Sequence, residues 1–146
     1  MRVIAFDPKF RDDMIFMVLQ AKDALGCVPH LNEDLLDVPR HYRLDQGGAF
    51  FLALDDHDRV IGCIGVQVTG RSARLHRLYV KASLKRKGIG TALLLRAEEF
   101  ARDHGAGETV VHMGDPRFYW ESIPFYTNHG YSETSPRWIK KTLTDE

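Results

Sequence analysis

The sequence predicts an α+β fold in which a single sheet carries helices on both faces. The chain has 146 residues, 44% of them hydrophobic, which suits one continuous core rather than two. Apolar residues alternate with a period of two in some segments and recur every three or four residues in others. These segments follow the order β-α-α-β-β-β-α-β-α-β, so we expect one domain spanning residues 1–146.

The N-terminal third predicts one strand and two helices. The run VIAF predicts the strand, and Asp7-Pro8 then supplies a helix cap followed by a proline at the first helical position. Apolar residues at helical spacing continue until Gly26, which ends the pattern. Asn32 is expected to cap a second, shorter helix, which Pro39 limits or kinks.

The middle of the chain predicts three strands and a long helix. The runs AFFLALDD and RVIGCIGVQV, joined by a polar turn, predict an antiparallel hairpin, and SARLHRLYV predicts the next strand. Beyond Val80 the apolar period changes to about 3.6, which predicts a helix ending near Gly105. We expect Glu98 and Glu99 to face solvent. The predicted apolar face consists of Ile89, Leu93, Ala97, Phe100 and Ala101.

The C-terminal part predicts a strand, a short helix and closing strand material. The strand is ETVVHM, and a turn-rich stretch follows it. Ser122 is expected to cap a helix from Ile123 to His129. Tyr131 and the run RWIKKTL then supply the last strand.

Charge balance and cysteine usage exclude several classes of protein. Lys and Arg total 20, as do Asp and Glu, so no global basic field would attract nucleic acid. Cys27 and Cys63 lack a CxxC spacing and are expected to be buried free thiols in a reducing compartment. No signal-peptide pattern or membrane-span window is found, so we expect a cytoplasmic protein without a membrane partner. The histidines show no ligand spacing, and no metal is expected.

The stretch VKASLKRKGIGTALLL concentrates four cations before the long helix. A strand that runs into a glycine turn and a helix presents unpaired backbone N–H groups, which bind anions. Gly88 and Gly90 would let the backbone approach a ligand, because a Cβ would occupy the ligand's space. The alternative is a solvated basic turn. No P-loop motif is present, and Leu93 replaces the third small residue of the dinucleotide fingerprint.

Two segments resemble motifs of one superfamily. LYVKASLKRKGIGTALL resembles the acyl-CoA-binding motif of the GNAT superfamily of N-acyltransferases, in which a strand runs into [QR]-x-x-G-x-[GA] and a helix. SIPFYTNHGY resembles the later motif of that superfamily, roughly forty residues downstream. The resemblance covers about residues 49–143. Lys85 departs from the pattern, because it replaces the Arg or Gln of the first motif.

The resemblance implies a mixed, mostly antiparallel sheet and acetyl-CoA as co-substrate. A bulge in the strand LHRLYV would separate it from the next strand and free backbone groups for the pantetheine arm and the thioester carbonyl. Backbone N–H groups of the glycine turn would bind the pyrophosphate. The cofactor-binding residues implied in this way are Leu78, Tyr79, Val80, Lys85, Arg86, Lys87, Gly88, Ile89, Gly90 and Thr91.

The resemblance also implies two proton-transfer roles. Tyr126 matches the tyrosine that protonates or hydrogen-bonds the departing sulfur, and its phenol is protonated at neutral pH. Arg74 occupies the position where many members carry a Glu base. His76 lies two residues on, on the same strand face, and is the candidate base with a reference pKa of about 6.5. His112 is the lesser candidate.

The acceptor is expected to be a primary amine, either of a small molecule or of a peptide. Five carboxylates near the expected acceptor site, including Asp34 as a candidate substrate contact, would form an acidic rim that suits a cationic amine. The five are Glu33, Asp34, Asp37, Asp45 and Asp115. The alternative function is a CoA-binding or regulatory module of the same fold that has lost turnover. A homodimer is left open by the sequence.

Overall fold

The computed structural model describes residues 1–144, whose strands form one seven-stranded sheet. The strands are β1 (Arg2–Ala5), β2 (Gly48–Leu54), β3 (Val60–Thr69), β4 (Ser72–Val80), β5 (Glu108–His112), β6 (Ser132–Ser135) and β7 (Trp138–Thr142). They lie in the order β1-β2-β3-β4-β5-β7-β6, and only the β4–β5 pair is parallel. The α+β class and the mixed, mostly antiparallel sheet are therefore confirmed. The closing strand material forms a hairpin of two strands.

Four helices accompany the sheet. They are α1 (Arg11–Ala24), α2 (Val38–His41), α3 (Ile89–Asp103) and α4 (Ser122–Thr127). A 3₁₀ turn (Pro8–Phe10) precedes α1, and the Asp7 side chain accepts a hydrogen bond from the backbone N–H of Lys9 there. A second 3₁₀ turn (Glu33–Leu36) precedes α2. Within residues 1–144, no helix is long and apolar enough to cross a membrane.

Helices cover both faces of the sheet, and the alternation of side chains along β2 separates two apolar cores. Phe51 and Ala53 belong to the core beneath α3, together with buried α3 residues such as Leu93. Phe50 and Leu52 point to the opposite face, where they pack in the α1 core. Between the two cores, β3 is buried over residues 60–66, whereas β4 is buried only at Ala73, Leu75 and Tyr79.

The predicted helix caps were wrong in two places. Asn32 makes no cap bond, because its side chain accepts a hydrogen bond from the Lys22 ammonium instead. The helix after it begins later, at Val38, where Pro39 lies in the first turn and needs no N–H partner. The residue before α4 is Glu121, and Ser122 lies inside the helix.

Glu98 was expected to face solvent, but it is 0% exposed. Its carboxylate accepts hydrogen bonds from the Tyr131 hydroxyl at 2.8 Å and from the Lys141 ammonium at 3.0 Å. Both partners lie more than thirty positions further along the chain, and they bring the charge and the donors that a buried carboxylate requires. The periodicity of the helix gives no sign of such distant partners.

Removing the partner of this buried carboxylate should destabilise the fold. We expect Lys141→Met to lower the free energy of unfolding by about 3 kcal/mol, because it leaves the Glu98 carboxylate without its counter-charge. Lys140→Met is the matched control, since Lys140 pairs with Glu108 on the exposed side of the same strand and should matter by under about 1 kcal/mol. Urea unfolding at pH 7 measures both. Equal losses for the two variants would contradict the structural role of the buried pair.

Candidate active site

The parallel pair β4–β5 separates partway along the sheet. Strand pairing between them covers Ser72–Leu75 and Glu108–Val111, while β4 continues to Val80 without β5 beside it. A cavity of about 340 Å³ opens at the separation, and we call it the β4–β5 cavity. Its walls include His76, Leu78, His112 and Tyr126. Two residues predicted from separate motifs, His76 and Tyr126, thus line the same space.

A bulge in β4 accompanies the separation, as expected. Cys63 pairs with Tyr79 and Gly65 pairs with His76, so two residues of β4, Arg77 and Leu78, stand opposite one residue of β3. Arg77 adopts a left-handed backbone conformation with φ 56°. The extra residue resets the alternation, so that Leu78 packs towards the α3 core and Tyr79 towards the α1 core.

Asp34 stabilises the bulge by binding the side chain of Arg77. Its two carboxylate oxygens each accept a hydrogen bond of 3.1 Å from the Arg77 guanidinium, and Tyr42 donates its hydroxyl to the same carboxylate. Burial alone would raise the pKa of Asp34, but the hydrogen bonds from Arg77 and Tyr42 outweigh it and lower the pKa. Cys63 further donates its thiol to the Arg77 carbonyl at 3.2 Å.

The position of Asp34 corrects the expected acidic rim. The side chain is buried, with 8% of the residue exposed, and its charge is neutralised by Arg77. Asp115 is held by Arg117 through hydrogen bonds of 2.8 to 3.3 Å. Neither carboxylate lines the β4–β5 cavity. The local sequence could not reveal this, because Arg77 lies 43 positions after Asp34.

The turn from β4 to α3 presents a run of unpaired donors. In residues 1–144, the backbone N–H groups of six consecutive residues, Arg86–Thr91, have no protein acceptor. Gly88 caps α3 with φ 85°, a conformation that favours glycine, and a Cβ there would have no heavy atom within 4 Å. The space in front of it is therefore open. This arrangement of amides at a helix N-terminus binds anions.

A second cavity of about 510 Å³ lies beside this turn, between α3 and α4, and we call it the α3–α4 cavity. Lys85 and Arg86 lie on its wall with Glu121, at nitrogen–oxygen distances of 3.5 and 3.7 Å. The expected role of Gly90 needs correction. A Cβ on Gly90 would lie 3.3 Å from the Phe125 ring, so that glycine makes room for α4 rather than for a ligand.

Further predicted residues lie along the same cavity. Leu78, Tyr79 and Val80 form its β4 side, and Thr91 lies on its α3 side. Ile89 is buried in the α3 core, while Lys87 is exposed. The Thr91 hydroxyl lies 3.1 Å from the His129 ring nitrogen Nε2.

Tyr126 lies where the two cavities meet. It lines both of them and is 6% exposed. Burial, and then the nearby charge of Glu98, raise the pKa of Tyr126 well above its usual value. Its phenol is therefore protonated at neutral pH and can donate a proton. In residues 1–144 its hydroxyl forms no hydrogen bond, which leaves this donor available to a ligand.

His76 lines the β4–β5 cavity and has one unsatisfied ring nitrogen. Its Nε2 is buried and has no hydrogen-bond partner in the described part of the chain. The ring packs edge-on against Tyr42 at 5.6 Å. Burial, and then the charges of Arg74 and Arg77, lower the pKa of His76 to about 4. The imidazole is consequently neutral at pH 7, and its pKa lies well below the reference value of about 6.5.

Sequence reasoning missed three residues at the junction of the cavities, Tyr119, Ser122 and Arg137, as site residues. Tyr119 and Ser122 line both cavities, and the Tyr119 hydroxyl lies 3.0 Å from the hydroxyl of Tyr79, which the sequence did predict. Arg137 lines the β4–β5 cavity from the turn before β7. Tyr119 and Arg137 come from turn segments without a motif, so no local signal indicated them.

The cysteines and the possible metal ligands can be described for residues 1–144. Cys63 is buried, while Cys27 is only half-buried, and neither forms a disulfide. No group of three or more His, Cys, Asp or Glu side chains in that range could hold a metal ion. His112 instead packs its ring against Trp138 at 4.6 Å on the wall of the β4–β5 cavity.

Known structures share this architecture. A GNAT-family acetyltransferase from Staphylococcus aureus Mu50 superposes with a TM-score of 0.88 and 19% identity, covering 98% of this chain and 99% of that one. The PaiA N-acetyltransferase from Thermoplasma acidophilum, solved in complex with coenzyme A, gives a TM-score of 0.77 at 19% identity, over 98% and 100% of the chains. At these identities the similarity establishes the fold.

Sequence comparisons establish the family. Human N-acetyltransferase 8 is 28% identical over 107 residues, which cover 69% of this chain and 46% of that protein. The chain thus spans about half the length of the curated relatives it matches. Residues 16–131, most of the chain, match the family described as "Acetyltransferase (GNAT) family". The chain therefore belongs to the GNAT family of acetyltransferases.

Proposed function

We propose that this protein transfers an acetyl group from acetyl-CoA to the amino group of a primary amine. The observation that carries the proposal is the run of six unpaired backbone N–H groups, Arg86–Thr91, beside the α3–α4 cavity. This cavity shares the wall around Tyr126 with the β4–β5 cavity. An acyl donor in the α3–α4 cavity and an acceptor in the β4–β5 cavity could thus meet beside Tyr126.

The α3–α4 cavity suits coenzyme A by its chemistry. The free amides and the partial positive charge of α3 complement a pyrophosphate, and Gly88 leaves the approach open. Lys85, Arg86 and Lys87 add positive charge around the turn. Glu121 holds two of these cations close to the cavity wall, where they could exchange the carboxylate for a phosphate.

The separated end of β4 suits the thioester. Beyond Leu75 the edge of β4 that faces β5 has no strand partner, so its backbone groups near Leu78 are available to the pantetheine arm and the carbonyl oxygen. A preorganised donor to the developing oxyanion is worth about 3 kcal/mol in related acyl-transfer chemistry. The neutral amine would attack the carbonyl carbon, and the tetrahedral intermediate would release CoA thiolate.

Tyr126 and His76 are proposed for the two proton transfers. The Tyr126 phenol remains protonated and has no partner of its own within residues 1–144, so it can donate to the departing sulfur. The neutral His76 can accept the amine proton through its unsatisfied Nε2, directly or through water. His112 lines the same cavity and is the alternative acceptor of that proton.

The donor site is tested by a pair of glycine variants. Acetyl-CoA should raise the melting temperature of the wild type, and Gly88→Glu should abolish the shift by adding a side chain and a negative charge at the free amides. Gly105→Glu is the matched control at the other end of α3, since Gly105 has φ 84° and equally open space. It carries the same backbone strain and should keep the shift.

Thermal denaturation with acetyl-CoA measures the shift, and thiol release with a panel of amines tests turnover. A missing shift in the wild type would contradict the donor site. A normal shift without thiol release from any amine would instead favour the CoA-binding module that lacks turnover.

Tyr126→Phe should separate catalysis from donor binding. We expect kcat to fall about 10²-fold, since the phenol interacts mainly with charge that develops on sulfur in the transition state. The KM for acetyl-CoA should stay within a factor of about three, because the hydroxyl makes no ground-state hydrogen bond in the described chain. Steady-state kinetics with thiol detection measure both constants. An unchanged kcat would mean that the thiolate leaves without help from Tyr126.

The low pKa of His76 makes a prediction about pH. The imidazole is protonated only below about pH 4, so kcat/KM should show no inflection near pH 6.5 from His76. The rise of kcat/KM with pH should instead follow the ionisation of the acceptor amine. His76→Gln should lower kcat/KM about 10²-fold at every pH between about 5 and 8, with an unchanged profile. His57→Gln, in the exposed turn after β2, is the control.

NMR titration of the His76 ring protons should give a midpoint near 4. A kinetic limb near 6.5 that disappears in His76→Gln would contradict the lowered pKa. Full activity of His76→Gln would show that another group removes the proton.

A further inference from the structure

The β4–β5 cavity carries positive charge without negative charge. Three arginines and two histidines are among its lining residues, and no Asp or Glu is among them within residues 1–144. These residues are Arg74, Arg77, Arg137, His76 and His112. The chain as a whole has equal numbers of cationic and anionic side chains, so this cavity departs sharply from the average.

Two of the three guanidinium groups are available. Arg77 is committed to Asp34, but Arg74 and Arg137 form no ion pair and no side-chain hydrogen bond in the described part of the chain. Arg137 is close enough to Asp115 to lower the pKa of that carboxyl, yet the Asp115 oxygens are bonded to Arg117.

Trp138 fixes one of the available guanidiniums. The Arg74 guanidinium lies over the Trp138 ring at 5.1 Å, and His112 packs against the same ring. Stacking of this kind orients a guanidinium and leaves its N–H groups, which lie in the guanidinium plane, free to bind a ligand. Arg137 directly precedes Trp138 in the chain and lines the same cavity as Arg74.

Cationic side chains also line a neighbouring cavity that shares Arg74 with the β4–β5 cavity. A third cavity of about 250 Å³, which we call the loop cavity, lies between the loop before β2 and the end of β3. It shares Arg74 and His76 with the β4–β5 cavity and adds Arg43. No carboxylate side chain lines it in residues 1–144 either.

We propose that the acceptor is an amine that also carries a carboxylate, and that Arg74 and Arg137 bind this carboxylate. The inference rests on the proposed acetyl transfer and names its substrate class. Guanidinium groups pair with carboxylates through charge-assisted hydrogen bonds, and a dicationic amine would meet only repulsion in this cavity. The cations have a second effect. They disfavour the ammonium form of the amine and so help to deliver the neutral nucleophile beside the weakly basic His76.

Matched acceptors test the charge requirement. ω-Amino acids from glycine to 6-aminohexanoate are compared with their primary amides and with 1,5-diaminopentane, with acetyl-CoA as donor. We expect at least one amino acid to exceed its own amide by tenfold or more in kcat/KM, with the diamine poorest. Amides that match or exceed their acids throughout the series would overturn the inference, while their turnover would leave the proposed acetyl transfer standing.

Arginine variants then test the assignment. The double variant Arg74→Gln/Arg137→Gln should reduce the preference for the acid over the amide by at least tenfold, chiefly by raising the KM for the acid. The Arg74→Lys/Arg137→Lys variant should recover part of the preference because it keeps the charge. Arg2→Gln, on the far edge of the sheet, removes one cation without touching the cavity and should leave the preference intact. A double glutamine variant with the wild-type preference would overturn the assignment.

A binding measurement tests the preference for a carboxylate even where no turnover is detected. Isothermal titration of the CoA-bound protein with the N-acetyl products of the same ω-amino acid series, and with their amides, compares acid and amide at each chain length. Binding of the acid at least tenfold tighter than the amide, lost in the double glutamine variant, supports the inference. Equal binding, or no binding of either product, overturns it, whereas the proposed acetyl transfer is judged by the acetyl-CoA shift and thiol release.

Discussion

The buried pair between Arg77 and Asp34 is the contact on which the site depends. Arg77 is the extra residue of the β4 bulge and takes a left-handed conformation that costs of order 1–2 kcal/mol for a residue with a side chain. Two hydrogen bonds to Asp34, itself bonded to Tyr42, offset that strain. Because the bulge shifts the alternation of β4 by one residue, Leu78 rather than Tyr79 packs towards the α3 core, and Tyr79 packs towards the α1 core. Beyond this point β4 runs without β5 beside it.

The same pair shapes the electrostatics of the site. Arg77 pairs with Asp34 and neutralises its charge, while Arg74 and Arg137 form no ion pair within residues 1–144. On the other side of the junction, the free amides of the α3 turn attract anions. Both cavities that meet at Tyr126 therefore favour anionic ligands. The arrangement is consistent with a donor that carries phosphates and an acceptor that carries a carboxylate.

Local signals in the sequence were reliable where local physics decides the structure. The Asp7 side chain does bond the first turn, the apolar period gives α3, and the glycine turn does start that helix. The predictions for Glu98, Asn32 and Asp34 were wrong because each side chain has a partner that is distant in sequence. The apolar period of a helix does not distinguish a buried carboxylate such as Glu98 from an exposed one. Only the folded chain shows whether a counter-charge arrives.

The sequence by itself determined the order of the elements, the α+β class and the position of the glycine turn before α3. It could do so because hydrophobic period, caps and glycine turns act within a few residues. Tertiary structure alone decided that Tyr126 and His76 line one cavity, that the pKa of His76 is lowered to about 4, and that three arginines line the same cavity. These properties depend on burial and on charges brought together from four separate segments, and electrostatic energies follow distance in space rather than distance along the chain.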